Sequence, residues 1–176
     1  MKLLLHCCCA PCSTAVTEAL GVENIKPDLF WFNPNIHPYT EYCSRRDSLA
    51  SFAKDEKLEL IIEDVYGLRE FINAVHSCPE KRCHYCYRVR LETTVMRAAQ
   101  KGYEAFSTTL LTSPYQNHEL IRQTGEECAK RYGVEFFYRD FRSRFREGQK
   151  KARERGSYMQ KYCGCIFSEE ERYLKK

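Results

Sequence analysis

The chain has 176 residues, which is enough for one domain with a substantial core and too short for two ordinary domains. Its apolar fraction of 43%, charged fraction of 30% and net charge of +4 are ordinary for a soluble globular protein. We expect no membrane span, and the three leucines before His6 do not form the apolar core of a secretory signal, so we expect a cytoplasmic protein.

Apolar runs, turn residues and helical periodicity predict strands that alternate with helices along the chain. The predicted strands are residues 3–5, 28–32, 58–62, 103–109 and 134–138. The predicted helices are residues 13–20, 39–57, 67–76, 83–102 and 118–132. This alternation predicts an α/β fold with a doubly wound, mostly parallel sheet and helices on both faces, in one domain over residues 1–176.

Four thiols, those of Cys7, Cys8, Cys9 and Cys12, follow the first predicted strand directly. In open parallel sheets, ligands bind beyond the carboxyl ends of the strands, near the start of the first helix. The positive end of a helix dipole favours the thiolate, which is the form that binds metals and attacks disulfides. We therefore expect the chemistry of the protein to begin at this turn.

The 11 cysteines indicate metal binding or redox catalysis, because a reducing cytosol does not favour structural disulfides. Besides the first group, two further groups lie close together in the sequence: Cys83 with Cys86, and Cys163 with Cys165. The three scattered cysteines are expected to be small buried apolar residues. They are Cys43, Cys78 and Cys128.

The spacing Cys83-x-x-Cys86 is typical of a metal site, since both sulfurs can reach one centre from a tight turn or a first helical turn. Two further thiols from the first strand exit would complete four ligands, which suit either Zn²⁺ or an iron–sulfur cluster. Adjacent Cys8 and Cys9 favour the cluster, because their sulfurs can reach different irons. The spacing Cys9-Ala10-Pro11-Cys12 leaves open a thioredoxin-like dithiol enzyme.

Cys163-Gly164-Cys165 has a different character. A disulfide across a single glycine closes a small strained ring. Such a bond is easily reduced, so it stabilises a fold poorly but can accept and donate two electrons. Two additional metal ligands are the alternative for these thiols.

The segment Arg139–Arg155 carries eight Arg or Lys residues and three acidic residues, a net charge of +5 in a chain of net charge +4. Such a concentration of positive charge, interleaved with Phe141 and Phe145, predicts either a phosphate-binding surface for RNA or a solvated helix face. A zinc-stabilised RNA-binding module therefore remains an alternative to an enzyme.

Read together, these stretches resemble the non-cobalamin epoxyqueuosine reductase family, the QueH type. The resemblance is carried by motifs in the family's order: Leu4-Leu5-His6-x-Cys8-Cys9-Ala10-Pro11-Cys12, Phe32-Asn33-Pro34-Asn35-Ile36-His37-Pro38-Tyr39, Arg82-Cys83-x-x-Cys86, Thr108-Thr109-Leu110 with Ser113-Pro114, Tyr138-Arg139-Asp140-Phe141 and Tyr162-Cys163-Gly164-Cys165. It implies a Rossmann-like domain of the HUP class. The alternation pattern predicts about five strands for this domain, and the charge pattern predicts a helical basic C-terminal segment after it. The cysteine-rich turn replaces the usual phosphate loop, so ATP use is not implied.

The resemblance also implies an activity, the reduction of epoxyqueuosine to queuosine at the wobble position of tRNA, with electrons from an unidentified donor. It implies that a [4Fe–4S] cluster is bound by four of the thiols and that a redox-active pair is formed by two others. The cluster ligands would be Cys8, Cys9, Cys83 and Cys86, and the redox pair Cys163 and Cys165.

Two further residues, Cys12 and Asp64, are expected near the same edge of the sheet. They are candidates for a second site holding a mononuclear iron, or for contact with the substrate. Asp64 is also a candidate catalytic proton donor, as are Asp140 and His6.

Overall fold

The first strand is the centre of the fold. The computed structural model describes residues 1–174, and in it Leu3–His6 form β1, each residue at most 1% exposed. Three consecutive leucines account for this position, because a central strand of a parallel sheet is covered on both faces and has a neighbour at each edge. The predicted strand is confirmed, with His6 as its last residue.

Four more strands and the surrounding helices follow the predicted alternation. The other strands are β2 (Asp28–Trp31), β3 (Leu60–Ile62), β4 (Ala105–Thr108) and β5 (Glu135–Phe136). The helices are α1 (Ala10–Gly21), α2 (Tyr39–Asp55), α3 (Leu68–Val75), α4 (Arg82–Lys101), α5 (His118–Tyr132), α6 (Phe145–Glu154) and α7 (Ile166–Tyr173). The predicted α/β fold with a parallel sheet is confirmed.

The strand order is β3-β2-β1-β4-β5, and every neighbouring pair is parallel. The chain therefore builds one half of the sheet outward from β1 and then returns to place β4 on its other side. This reversal opens a crevice at the carboxyl ends of β1 and β4, which is where open α/β sheets bind ligands. Cys7, Cys8 and Cys9 follow β1 at this crevice, and Thr109 follows β4.

Some predicted boundaries are wrong for identifiable reasons. The third strand begins at Leu60 and not at Leu58, because Lys57 adopts a left-handed conformation and the Leu58 N–H closes the end of α2 on the Ala53 carbonyl. The first helix begins three residues early, at Ala10, since Pro11 in its first turn is already preorganised for a helix.

The C-terminal part of the chain contains the predicted basic helix, α6, and an additional helix, α7, that the sequence did not predict. Gly148 of α6 lies against α1 so closely that a Cβ at this position would be 2.5 Å from the Cβ of Ala15. This contact places the basic helix beside the helix that carries the cysteine-rich turn. Within residues 1–174, every helix is too short or too polar to cross a lipid bilayer.

Candidate metal and redox centre

Three thiols converge on the turn between β1 and α1. The sulfurs of Cys8, Cys9 and Cys12 all lie within 4.8 Å of one another, and those of Cys8 and Cys9 are 3.8 Å apart. Cys9 is the N-cap residue of α1 in an extended conformation, so Cys8 precedes the helix while Cys12 lies in its first turn. Three soft sulfur donors at this separation suit a thiophilic metal such as iron or zinc.

The three thiols do not share the same protonation behaviour. Hydrogen bonds from the thiols of Cys12 and Cys9, and from the Thr109 hydroxyl at 3.5 Å, hold the pKa of Cys8 well below its usual range. The interaction with Cys8 in turn raises the pKa of Cys12 well above its usual range. Cys8 is thus the preferred thiolate, and the thiolate is the form that ligates a metal.

A second group of thiols forms around the first turn of α4. Cys83 and Cys86 share a cavity of about 250 Å³ with Cys163 and Cys165. Burial is the largest cause that raises the pKa of Cys86 to about 12, and the nearby thiols of Cys163, Cys165 and Cys83 act in the same direction. The structure therefore brings two cysteine motifs that are distant in the sequence, residues 83–86 and 163–165, into one cavity.

Arg90 stands between the two groups. Its side chain is buried, its Nη2 atom lies 2.8 Å from the Cys86 sulfur, and it lines a second cavity, of about 270 Å³, with Cys8 and Cys12. No carboxylate among residues 1–174 forms an ion pair with it; the ionisable groups that act on it are the thiols of Cys86, Cys163 and Cys8 and the Tyr87 hydroxyl. A buried cation requires a compensating charge, so Arg90 favours thiolates, or an anionic thiolate–metal group, at this point.

The Cys163-Gly164-Cys165 turn is clamped by a buried arginine. Arg45 donates hydrogen bonds from Nη1 to the Cys163 carbonyl at 2.8 Å and from Nη2 to the Tyr162 carbonyl at 3.0 Å, while its Nε atom pairs with Glu41 at 2.7 Å. Gly164 has a φ of +150°, and a Cβ there would lie 3.3 Å from both Arg45 and Ile36. Only glycine fits this turn without strain.

Cys163 connects the two groups of thiols. It is exposed and lines both cavities, whereas Cys165 is buried and lines only the cavity of Cys83 and Cys86. The Cys163 sulfur accepts a hydrogen bond from the Gln116 amide nitrogen at 3.2 Å. The Tyr87 hydroxyl donates to the oxygen of the same amide at 2.6 Å and so orients it. One thiol of the predicted redox pair is therefore accessible to a ligand in the cavity of about 270 Å³ that Cys8, Cys12 and Arg90 line, called the larger cavity below.

The structure does not bring Asp64 to these thiols. Its carboxylate accepts hydrogen bonds from Tyr42 at 2.7 Å and Arg46 at 2.9 Å, and it lines neither cysteine cavity. Its pKa is lowered, first by the hydrogen bond from Tyr42 and then by that from Arg46. At this position the carboxylate is anionic at neutral pH and already forms an ion pair with Arg46.

The other two proton-donor candidates, His6 and Asp140, also interact with neighbouring protein groups. Burial lowers the pKa of His6 to about 4, and its ring nitrogens contact the Thr108 hydroxyl at 2.9 Å and the Phe32 carbonyl at 3.2 Å. Arg142 holds the pKa of Asp140 at about 2. Both groups are thus already deprotonated at neutral pH, and their hydrogen bonds are to neighbouring protein groups.

The scattered cysteines agree only in part with the expectation of burial. Cys128 is buried, and its burial raises the pKa to about 11, but Cys43 and Cys78 are half-buried. Cys7 is buried beside the site, and its thiol donates to the Leu5 carbonyl at 3.3 Å. These four thiols lie outside both groups.

The sequence reasoning missed three residues that shape the site: Arg90, Arg45 and Gln116. Arg90 lies four residues after Cys86, so the helical spacing alone placed it on the same face of α4. The contacts of Arg45 and Gln116 with the Cys163 region cross 118 and 47 positions of the chain, and no local pattern indicates them.

A parallel α/β sheet whose switch-point crevice carries thiols defines a class of protein, the Rossmann-like proteins with a metal-binding or redox centre. The comparison with known families then identifies the family. The family described as Epoxyqueuosine reductase QueH matches residues 3–171, and the chain belongs to this family.

Relatives support the assignment over nearly the whole chain. The epoxyqueuosine reductase QueH of Dehalococcoides mccartyi is 37% identical over 99% of this chain and 96% of its own length. The QueH proteins of Thermotoga maritima and Acinetobacter baylyi are 36% and 35% identical, over 98% and 95% of this chain and 93% and 80% of their own lengths. The predicted resemblance is confirmed.

The family does not favour the two alternatives considered from the sequence, the zinc-stabilised RNA-binding module and the thioredoxin-like enzyme. The structure gives a physical reason in the second case. Cys9 and Cys12 are only 1% and 3% exposed, whereas a cysteine that exchanges disulfides with another protein must be reachable.

Proposed function

We propose that this chain reduces epoxyqueuosine to queuosine in tRNA, with its chemistry at the two groups of thiols. The observation that carries the proposal is the meeting of both groups at Arg90 and Cys163, beside a cavity of about 270 Å³. Membership of the epoxyqueuosine reductase family supplies the reaction. A tRNA substrate implies a cytoplasmic location for the reaction.

The reaction requires two electrons and two protons for each epoxide. Both carbon–oxygen bonds of the epoxide break, an alkene forms, and the oxygen leaves as water. A dithiol supplies both the electrons and the protons when it is oxidised to a disulfide, so one Cys163–Cys165 dithiol balances one turnover. An external electron donor must then reduce the disulfide again.

Four thiols are proposed as ligands of a [4Fe–4S] cluster: Cys8, Cys9, Cys83 and Cys86. The type of donor suits such a cluster, because Cys8 is the preferred thiolate of its group and the Arg90 guanidinium beside Cys86 compensates negative charge. Bound there, such a cluster would supply one-electron transfer, and a separate mononuclear iron with an open coordination position would supply a Lewis acid. Cys12, within 4.8 Å of Cys8 and Cys9, is the candidate ligand of a second, mononuclear iron.

The proposed role of Cys163 and Cys165 as the redox pair is supported by their different surroundings. Cys163 faces the larger cavity and Cys165 faces Cys83 and Cys86. Electrons can therefore pass through this pair between the thiol group on α4 and a molecule in the cavity. Gln116 holds the Cys163 sulfur in this orientation.

The reaction can be tested with protein reconstituted anaerobically with iron and sulfide, tRNA that carries epoxyqueuosine, and dithionite as reductant. We expect the tRNA nucleosides to show queuosine in place of epoxyqueuosine, with the loss of one oxygen atom measured by mass spectrometry. A Cys43→Ser variant is the matched control, since this half-buried thiol lies outside both groups and should not affect conversion. Unchanged epoxyqueuosine with cluster-loaded protein would contradict the proposal.

A further inference from the structure

The positive charge of the basic segment is mostly neutralised within the protein. Six of the eight Arg and Lys residues between residues 139 and 155 form ion pairs with carboxylates. These six are Arg139, Arg142, Arg144, Lys150, Lys151 and Arg155. In the described part of the chain, the two that have no carboxylate partner are Arg146 and Arg153, both exposed on α6.

These two arginines line an open groove of about 540 Å³. Two more cations from outside the segment, Lys161 and Arg172, line the same groove, and like Arg146 and Arg153 they form no ion pair within residues 1–174. Among the described residues, no carboxylate lines this groove. Four like charges around one groove repel one another, and a bound polyanion relieves this repulsion.

The groove is continuous with the larger cysteine cavity. Five residues line both: Tyr115, Phe145, Gln149, Gln160 and Lys161. An anion bound in the groove therefore lies next to the opening that leads to Cys8, Arg90 and Cys163.

The shared wall has features that suit an unpaired nucleotide. Tyr115 is 85% exposed, and its ring rests edge-on against that of Phe145, with ring centroids 6.0 Å apart. An exposed ring held by a neighbour is a stacking platform for a base. The Oε1 atom of Gln160 is buried and has no hydrogen-bond partner, so it can accept a hydrogen bond from a ligand at this wall.

We infer that this groove binds the backbone phosphates of single-stranded RNA next to the reacting nucleotide, and that Tyr115 stacks on a neighbouring base. The inference rests on the proposed function, since it takes the RNA to be the anticodon loop of the substrate tRNA. Arg146, Arg153, Lys161 and Arg172 are the phosphate contacts, and the six paired cations of the segment are not.

The test compares two variants that each lose four positive charges. The groove variant is Arg146→Gln/Arg153→Gln/Lys161→Gln/Arg172→Gln, and the matched control is Arg139→Gln/Arg142→Gln/Arg144→Gln/Arg155→Gln. The affinity for an anticodon stem-loop RNA with guanosine at the wobble position is measured against salt concentration. The groove variant should bind at least about 30-fold more weakly at low salt, with a salt slope smaller by about 3, because each contact to a single strand contributes about 0.7.

The control variant should keep the wild-type slope, and Tyr115→Ala should weaken binding with the slope unchanged, because stacking releases no counterions. Wild-type affinity and slope in the groove variant, or equal weakening in both four-charge variants, would overturn the inference.

Activity distinguishes this failure from a failure of the proposed function. If the wild-type protein converts epoxyqueuosine and the groove variant has the same KM for tRNA, only the inference fails. If the wild-type protein converts none while the groove variant still loses RNA binding, only the proposed reaction fails. With both correct, the groove variant shows a KM raised at least about 10-fold and a kcat close to that of the wild type.

Discussion

Replacing Cys8 or Cys86 by serine is expected to remove most of the bound iron and to lower the rate of epoxyqueuosine reduction by more than about 100-fold. Each substitution exchanges a soft thiolate for a hydroxyl that is a poor ligand of iron, and loss of even an outer-shell partner costs about 10- to 100-fold in metal affinity. Cys8 is the preferred thiolate of its group, and Cys86 is the sulfur that contacts Arg90. Iron analysis and turnover measured on the same reconstituted samples check this result.

Cys128→Ser is the matched control for these two variants. This thiol is also buried, but it lies on α5 outside both groups, so its replacement should leave the iron content at the wild-type level. Wild-type iron content and rate in Cys8→Ser and Cys86→Ser would show that these thiols do not hold the metal.

Gly164→Ala is expected to lower the rate of epoxyqueuosine reduction by more than about 10-fold while leaving the iron content unchanged. Alanine at a φ of +150° is strained by roughly 1–3 kcal/mol, and its Cβ would press on the Arg45 guanidinium that holds the Cys163 carbonyl. The turn that presents Cys163 to the larger cavity must then move. A single-turnover assay with prereduced protein and no other reductant measures the effect on the dithiol directly.

Gly156→Ala provides the control for backbone strain. Gly156 also has a positive φ, +70°, but no atom lies within 4 Å of the position of its Cβ. The control should lose a similar amount of stability in a thermal melt and keep its activity. If Gly164→Ala reduces epoxyqueuosine in a single turnover as fast as the wild type, the clamped turn has no part in electron delivery.

The fold followed from the sequence because its strongest local signals agree with its tertiary structure. The leucines of β1 predict a central buried strand, and Gly102 and Gly133 end α4 and α5 in left-handed conformations, as the sequence suggests. Predicted boundaries were wrong where the end of a helix takes up residues that the apolar pattern assigns to a strand. Leu58 is an example, because it closes the end of α2 and the strand begins only at Leu60. The short helix Ile166–Tyr173 was missed.

The site could be predicted only in part, because sequence clusters and spatial clusters differ. The motifs identified the thiols, but folding groups Cys12 with Cys8 and Cys9, and it places Cys163 and Cys165 beside the thiols of α4. The sequence identified the basic segment from its Arg and Lys residues. It did not show that six of these eight residues form ion pairs with carboxylates of the same protein.

Iron and sulfide content, measured together with the visible absorption spectrum of protein prepared anaerobically, tests the central claim most directly. The account predicts about four iron and about four sulfide per chain in addition to any mononuclear iron, with a broad absorption that bleaches on reduction. Colourless protein that holds zinc and no sulfide would contradict it.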